Sequence, residues 1–165
     1  MTKAIIIKKQ GGPEVLELSD IKLGVPGPNE IKVKNIAIGI NYIDTYHRSG
    51  LYPVTLPSGI GLEAAGKVIE IGSSVKDFSI GDDIAYAGGT PSAYAEERIL
   101  PALLGVKIPD GISHKVAACI MTKGLTTHYL LCKTYKLTSN DVVLFHAAAG
   151  GVGQVFSQWA KGIGC

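Results

Sequence analysis

Asn140-Asp141-Val142-Val143-Leu144-Phe145-His146-Ala147-Ala148-Ala149-Gly150-Gly151-Val152-Gly153 reads as an apolar strand, a glycine-rich turn and the start of a helix. Asp141 to His146 is a continuous apolar run, the pattern of a strand in a sheet covered on both faces. Gly150 permits a tight turn, Gly151 lets the backbone approach a phosphate, and Gly153 allows close packing of helix on strand. Free N–H groups and the positive end of the helix dipole then favour an anion. Two readings stand: a cradle for the pyrophosphate of a dinucleotide, and an ordinary strand-to-helix turn that uses glycine for packing only. The apolar strand before the turn and the amphipathic helix after it favour the first. In that helix Val152, Val155, Phe156, Trp159 and Ala160 share one side, and Gln154, Ser157, Gln158 and Lys161 share the other. Gly162-Ile163-Gly164 is expected to end it. One strand and one helix do not bury such a stripe. Residues 140–165 are therefore expected to pack back on the preceding domain, to pair with another copy, or to be poorly ordered. The residue that selects NAD or NADP through the ribose lies about 20 positions past such a turn, beyond Cys165.

The first hundred residues have a different rhythm, with short alternating runs separated by turn residues. Ala4 to Lys8, Val15 to Ser19, Ile31 to Lys34, Gly66 to Ile71, Asp83 to Ala87 and Ala93 to Ile99 are the expected strands. The phase slips around Asn35 to Ala37, which predicts a bulge. Gly11-Gly12-Pro13, Gly72-Ser73-Ser74, Gly81-Asp82 and Gly88-Gly89-Thr90-Pro91 are the breaks, and this spacing argues for a small barrel. Tyr42 to Ser49 reads as a short helix capped near Asn41 and stopped by Gly50. From a cap at Ser113 the period becomes helical; Gly124 is expected to break that helix, with a second from about Leu125 to Tyr135.

Composition excludes several classes. With 46% hydrophobic and 18% charged residues, the 165-residue chain is globular, one domain plus a fragment, and its net charge of +2 makes no case for nucleic acid. The apolar start is too short for a signal peptide and no run reaches a membrane span, so a soluble cytoplasmic protein is expected. Cys119, Cys132 and Cys165 are odd in number and form no CxxC pair; Cys119 and Cys132 read as buried thiols. His47, His114, His128 and His146 form no ligand pair and read as surface or hydrogen-bonded histidines.

Several blocks together carry a family resemblance. Gly11-Gly12-Pro13-Glu14-Val15-Leu16 follows the first strand. Ala37-Ile38-Gly39-Ile40-Asn41-Tyr42-Ile43-Asp44-Thr45-Tyr46 leads into Arg48-Ser49-Gly50-Leu51-Tyr52-Pro53. Gly61-Leu62-Glu63-Ala64-Ala65-Gly66 and Gly124-Leu125-Thr126-Thr127 come next, and Asn140 through Gly153, with Gln158 and Lys161, completes the set. Across residues 1–165 the chain resembles the N-terminal half of the zinc-free NADPH:quinone oxidoreductases of the zeta-crystallin type, in the medium-chain dehydrogenase/reductase superfamily. The resemblance implies a mainly β, partly open GroES-like barrel with short helices over residues 1–123. Residues 124–165 would begin a Rossmann domain.

The resemblance also implies chemistry. Zinc-dependent members bind their catalytic ion through Cys, His and Cys; the matching positions here are Asn41, Leu62 and Lys123. Leu62 has no donor atom and a protonated Lys123 repels a cation, so no metal is expected. The implied reaction is hydride transfer from NADPH to a quinone or related enone. Asn41, Tyr46 and Tyr52 would stand at the substrate, the tyrosines offering flat faces and phenolic donors, or else serving as half-buried packing residues. Tyr42, Ile43, Asp44, Thr45 and Tyr46 would line the cofactor, Thr126 and Tyr129 would approach the nicotinamide, and Gly150, Gly151, Val152 and Gly153 would meet the pyrophosphate. Lys123 either adds positive charge there or is a satisfied lysine. The competing expectations are a non-catalytic remnant that binds NADPH weakly or not at all, and a barrel serving as an interaction module.

Overall fold

Eight strands, β1 Thr2–Ile7, β2 Glu17–Ile21, β3 Glu30–Gly39, β4 Ser58–Gly59, β5 Glu63–Ile71, β6 Asp83–Ala87, β7 Glu97–Pro101 and β8 Gly105–Lys107, carry most of the first two-thirds of the chain. The helices are α1 Tyr42–Ser49, α2 His114–Tyr129 and α3 Gly151–Ile163. The computed structural model describes residues 1–165, which divide into two units, Met1–Cys119 and Ile120–Cys165.

In the first unit all pairing is antiparallel. One sheet has the order β2-β1-β4 and the other β7-β3-β5-β6-β8. The segment before β7 ties them together: Ile5 N–H donates to Tyr94 O at 2.8 Å, Glu96 N–H donates to Lys3 O at 2.9 Å, and Ala4 bridges Ala95. The result is a partly open barrel, mainly β with short helices, as expected. Its core is Ile31, Val33, Ala64, Val68, Phe78, Ile84, Tyr86, Ala93 and Leu100. Alternation explains the inward Ile31 and Val33. Lys32 on the opposite face is also buried, in an ion pair with Glu70, which the simple half-buried reading of that strand does not anticipate.

The predicted bulge is present as a register shift between Asn35 and Ala37. Gly66 stands opposite it because a Cβ there would lie 2.1 Å from Lys34 O. Asn35 locks the bulge, donating to Ala93 O at 3.2 Å and Ala95 O at 2.8 Å and accepting from the Tyr86 hydroxyl at 3.0 Å. Several strand boundaries move: β3 extends to Gly39, β5 starts at Glu63 rather than Gly66, Pro13–Val15 is a 3-10 turn before β2, and β7 starts at Glu97 rather than Ala93.

The second unit departs further from expectation. Gly124 does not break α2, which runs through it to Tyr129; Leu130–Thr134 then forms a π-helical turn. Glycine inside a helix costs about 1 kcal/mol, which packing overrides here. Asp141–His146 forms no strand. A strand exists through hydrogen-bonded neighbours, and none pairs with this run, so Val142 and Leu144 stand exposed. Phe145 instead stacks on Phe156, ring centroids 4.2 Å apart, beside a cluster of Leu131, Leu137, Phe156 and Ala160. The stripe on α3 is the predicted one, with Phe156 and Ala160 buried, and Gly164 ends the helix at φ 94°. Cys119 and Cys132 are exposed, against expectation. Ala117 and Ala118 take the inward positions of α2, and Leu131 takes the inward position of the π turn, leaving each neighbouring cysteine outward. No helix is long and apolar enough to cross a membrane.

Candidate functional site

The predicted site residues fall into two groups, one in each unit. In the first unit they collect on α1. Asn41 is its cap, extended at φ −128°, and Gly50 ends it at φ 86°. Asp44 in the first turn accepts from the Asn41 backbone N–H at 2.9 Å, the return half of a capping box. Thr45 Oγ1 donates to Tyr42 O at 2.7 Å.

The aromatic residues form a short series. Tyr42 meets Tyr46 edge-on at 5.3 Å, and Tyr46 meets Tyr52 at 5.2 Å. Tyr42 and Tyr52 are exposed and Tyr46 is half-buried, so the series shows apolar faces and phenolic groups at the surface. Positions 42 and 46 share a helix face at i, i+4, and the turn after Gly50 brings Tyr52 alongside, its N–H donating to Tyr46 O at 3.2 Å.

Beneath this surface lies a polar hub that sequence reasoning named only in part. Asn41 Nδ2 donates to Glu63 Oε1 at 2.8 Å, and Glu63 is 0% exposed. Tyr94 Oη donates to Asp44 Oδ2 at 2.9 Å, and Asp44 is 4% exposed with its Oδ1 buried and unpartnered. Burial, then the hydrogen bond to the Asp44 carboxylate, then the charges of Asp44 and Glu63 push the Tyr94 phenol well above its ordinary range. His47 lies on the same buried face of α1, with Nδ1 unpartnered. Gly39 makes room for the hub: a Cβ there would lie 2.4 Å from Glu63 Cγ and 2.1 Å from Ala118 O.

Glu63 and Tyr94 were missed as site residues. The signal for Glu63 was available: a carboxylate at the head of the apolar run Ala64-Ala65 marks either a turn or a buried polar role. Nothing local marks Tyr94, which reaches Asp44 across 50 positions of sequence.

In the second unit Lys123, Thr126 and Tyr129 lie on α2, and Gly150, Gly151, Val152 and Gly153 open α3. Gly150 caps α3 and has no side chain to bond the first-turn amides. Lys123 lies over Gly151: a Cβ there would meet Lys123 Cε at 2.9 Å and Cδ at 3.0 Å. Gly153 is needed because its Cβ would come 2.6 Å from Ala147 O and from Ala148 Cα. The close packing expected of Gly153 is therefore made against the turn before the helix. Thr127, which is fully buried, donates through Oγ1 to Lys123 O at 2.9 Å and fixes the helix there. An uncapped helix start with a lysine stem across it suits an anion.

No three His, Cys, Asp or Glu side chains cluster so as to hold a metal ion. His114 Nε2 instead pairs with Asp83 Oδ1 at 3.0 Å.

Comparison with known proteins places these features. Residues 27–141 match the alcohol dehydrogenase GroES-like domain. The chain is 53% identical to a quinone oxidoreductase of Pseudomonas aeruginosa, over 99% of this chain and 51% of that protein. It is 39% identical to a 2-haloacrylate reductase of a Burkholderia species, over 99% of this chain and 51% of that protein. The crystal structure of Escherichia coli quinone oxidoreductase complexed with NADPH superposes with a TM-score of 0.95 at 49% identity, covering 98% of this chain and 50% of that one. The chain spans about half the length of the curated relatives it matches.

Proposed function

The chain belongs to the alcohol dehydrogenase GroES-like domain family, and from that premise we propose that it forms the substrate-side half of an NADPH-dependent reductase of quinones or related enones. The observation that carries the reading is the Tyr42–Tyr46–Tyr52 series above the buried Asn41–Glu63 and Asp44–Tyr94 pairs. An exposed apolar platform mounted on a rigid polar hub suits a flat, weakly polar acceptor better than a small aliphatic alcohol. Similarity to a quinone oxidoreductase and to a 2-haloacrylate reductase supports an electron-poor conjugated acceptor in general.

Bound NADPH would supply the hydride. Gly150, Gly151, Val152 and Gly153 would hold its pyrophosphate, with Lys123 adding positive charge beside them. Tyr42, Ile43, Thr45 and Tyr46 would line the cofactor, and Thr126 and Tyr129 would approach the nicotinamide. Tyr46 and Tyr52 would stack on the acceptor, and their phenols would donate to the oxygen on which charge develops. Asn41 already gives one amide N–H to Glu63. It would therefore serve mainly through its fixed orientation, with Glu63 and Asp44 as positioning residues.

A second reading has its own observation. Asp141–His146 has no strand partner, so the 165-residue chain by itself would bind NADPH weakly or not at all. Exposed Val142 and Leu144 would then favour self-association through residues 140–165. Titration with NADPH by fluorescence separates the two: micromolar affinity refutes the non-binding reading. The reductase reading is tested by following NADPH oxidation with 1,4-benzoquinone, a conjugated enone and an aliphatic aldehyde in a protein of the relatives' full length. Turnover of the aldehyde without the quinone overturns it.

A further inference from the structure

Arg98 takes no part in the site described above, and its surroundings are unusual for a charge. Along β7, alternation turns Arg98 and Leu100 inward and leaves Glu97 and Ile99 half-buried. Arg98 is 3% exposed, yet no carboxylate lies within ion-pair distance of it. Its guanidinium sits 4.9 Å over the centre of the Tyr86 ring. Nη2 donates to Gly88 O at 3.0 Å and to Thr90 O at 2.7 Å. A guanidinium has five N–H donors. Those on Nε and Nη1 are buried without an acceptor. Two carbonyl dipoles, the ring face and the Tyr86 phenol offset part of the charge; the remaining donors call for an acceptor, and an anion would both supply it and offset the charge.

The adjoining space offers room for one. Arg98 forms part of the wall of a cavity of about 280 Å³, together with Thr55, Ser58, Thr90 and Ser92. Two of these hydroxyls are committed, Ser58 Oγ to Gly59 O at 2.8 Å and Ser92 Oγ to Thr90 O at 3.1 Å. Those of Thr55 and Thr90 remain as donors. Glu97 is in the same wall and opposes an anion; Lys34 stands opposite it in the β3–β7 register.

We propose that this cavity in the barrel unit is a binding site for a small oxyanion, held by the buried Arg98 guanidinium and the neighbouring threonine hydroxyls. The anion completes the arginine's hydrogen bonding. Through Nη2 it also steadies the turn Gly88-Gly89-Thr90-Pro91, whose two glycines sit at φ 92° and 74°. The site is independent of NADPH, and its test does not depend on catalysis.

The test is thermal unfolding of the 165-residue chain against inorganic phosphate at constant ionic strength, in wild type and in Arg98→Met. Phosphate stabilises most folded proteins slightly by exclusion from their surfaces, an effect that does not saturate. The expected result is an additional, saturable rise in Tm of a few degrees in wild type and its absence in Arg98→Met. Parallel, unsaturating rises in the two proteins overturn the proposal. If Arg98→Met does not fold, the Arg98 Nε–H resonance of the wild type decides. A saturable downfield shift with phosphate supports the site, and no shift overturns it.

Discussion

Ile31 and Val33 in β3 and Val142 and Leu144 before α3 are alike as sequence, yet the first pair is 0% exposed and Leu144 is 84% exposed. The difference lies in their neighbours. β3 has β5 on one side and β7 on the other, so its amides are paired and its inner face packs into the core around Ala64, Val68 and Leu100. Asp141–His146 has no such neighbour and keeps only the Phe145–Phe156 stack. Apolar character decides which way a segment would face, and pairing decides whether it becomes a strand.

The sharpest way to break the contrast is to attack the barrel unit where its pairing is tightest. Gly66→Val would place a side chain against the Lys34 carbonyl, 2.1 Å from the Cβ position, between strands that have no freedom to part. A loss of about 3 kcal/mol or more is expected, read as a lower urea midpoint for the barrel unit. An unchanged midpoint would mean that β3 and β5 are less firmly paired than the register implies.

Next in size is the hub. Asp44→Ala removes the acceptor of both the Asn41 N–H and the Tyr94 hydroxyl, leaving two donors unmatched beside Glu63. The expected cost is about 2 to 4 kcal/mol in urea unfolding. Asp44→Asn should recover part of it, because an amide oxygen still accepts. A cost confined to the few tenths of a surface substitution would show that the hub does not hold α1 in place.

The same hub predicts a pH dependence. Burial and Asp44 raise the Tyr94 phenol, so the folded state keeps its proton after the unfolded chain has begun to lose it. The contribution is therefore complete below about pH 10, the unfolded tyrosine value, and falls as pH rises toward the folded value. Alkaline unfolding curves for wild type and Tyr94→Phe should converge above that point, with the phenylalanine variant the flatter of the two. Identical slopes would place the raised phenol elsewhere, with fully buried Tyr86 the next candidate.

How much of this was legible follows the same division. Alternation, turn residues and the slip at Asn35 located β1, β3, β5 and β6, the bulge, and α1 with its cap and stop, because each depends on residues close in sequence. The aromatic series was legible too, since a helix turn sets the spacing of Tyr42 and Tyr46. What was not legible depends on distant partners. Tyr94 finds Asp44 only once the first unit has folded, Lys32 is buried because Glu70 comes opposite, and Cys132 faces outward because a π turn shifts the local period. The absent strand at 141–146 belongs with these: its pattern is that of a strand, but pairing is a property of the neighbours.

The smallest effects test whether the second unit is held by local rules where the first is held by long-range ones. Ala147, in the turn before α3, is the chain's one non-glycine residue at positive φ, 56°. A left-handed alanine costs roughly 1–2 kcal/mol, against the 0.4–1 kcal/mol that glycine adds to the entropy of the unfolded chain. Ala147→Gly should therefore stabilise this unit by about 0.5 kcal/mol. Gly162, inside α3 with nothing near its Cβ position, is the converse case. Gly162→Ala should add about 0.5 to 1 kcal/mol from helix propensity alone. Both gains should appear as slower amide exchange in α3 with no change in the barrel strands. A gain that spread to β3 and β5 would mean that the two units unfold together, and that the contrast between them is one of pairing rather than of independent stability.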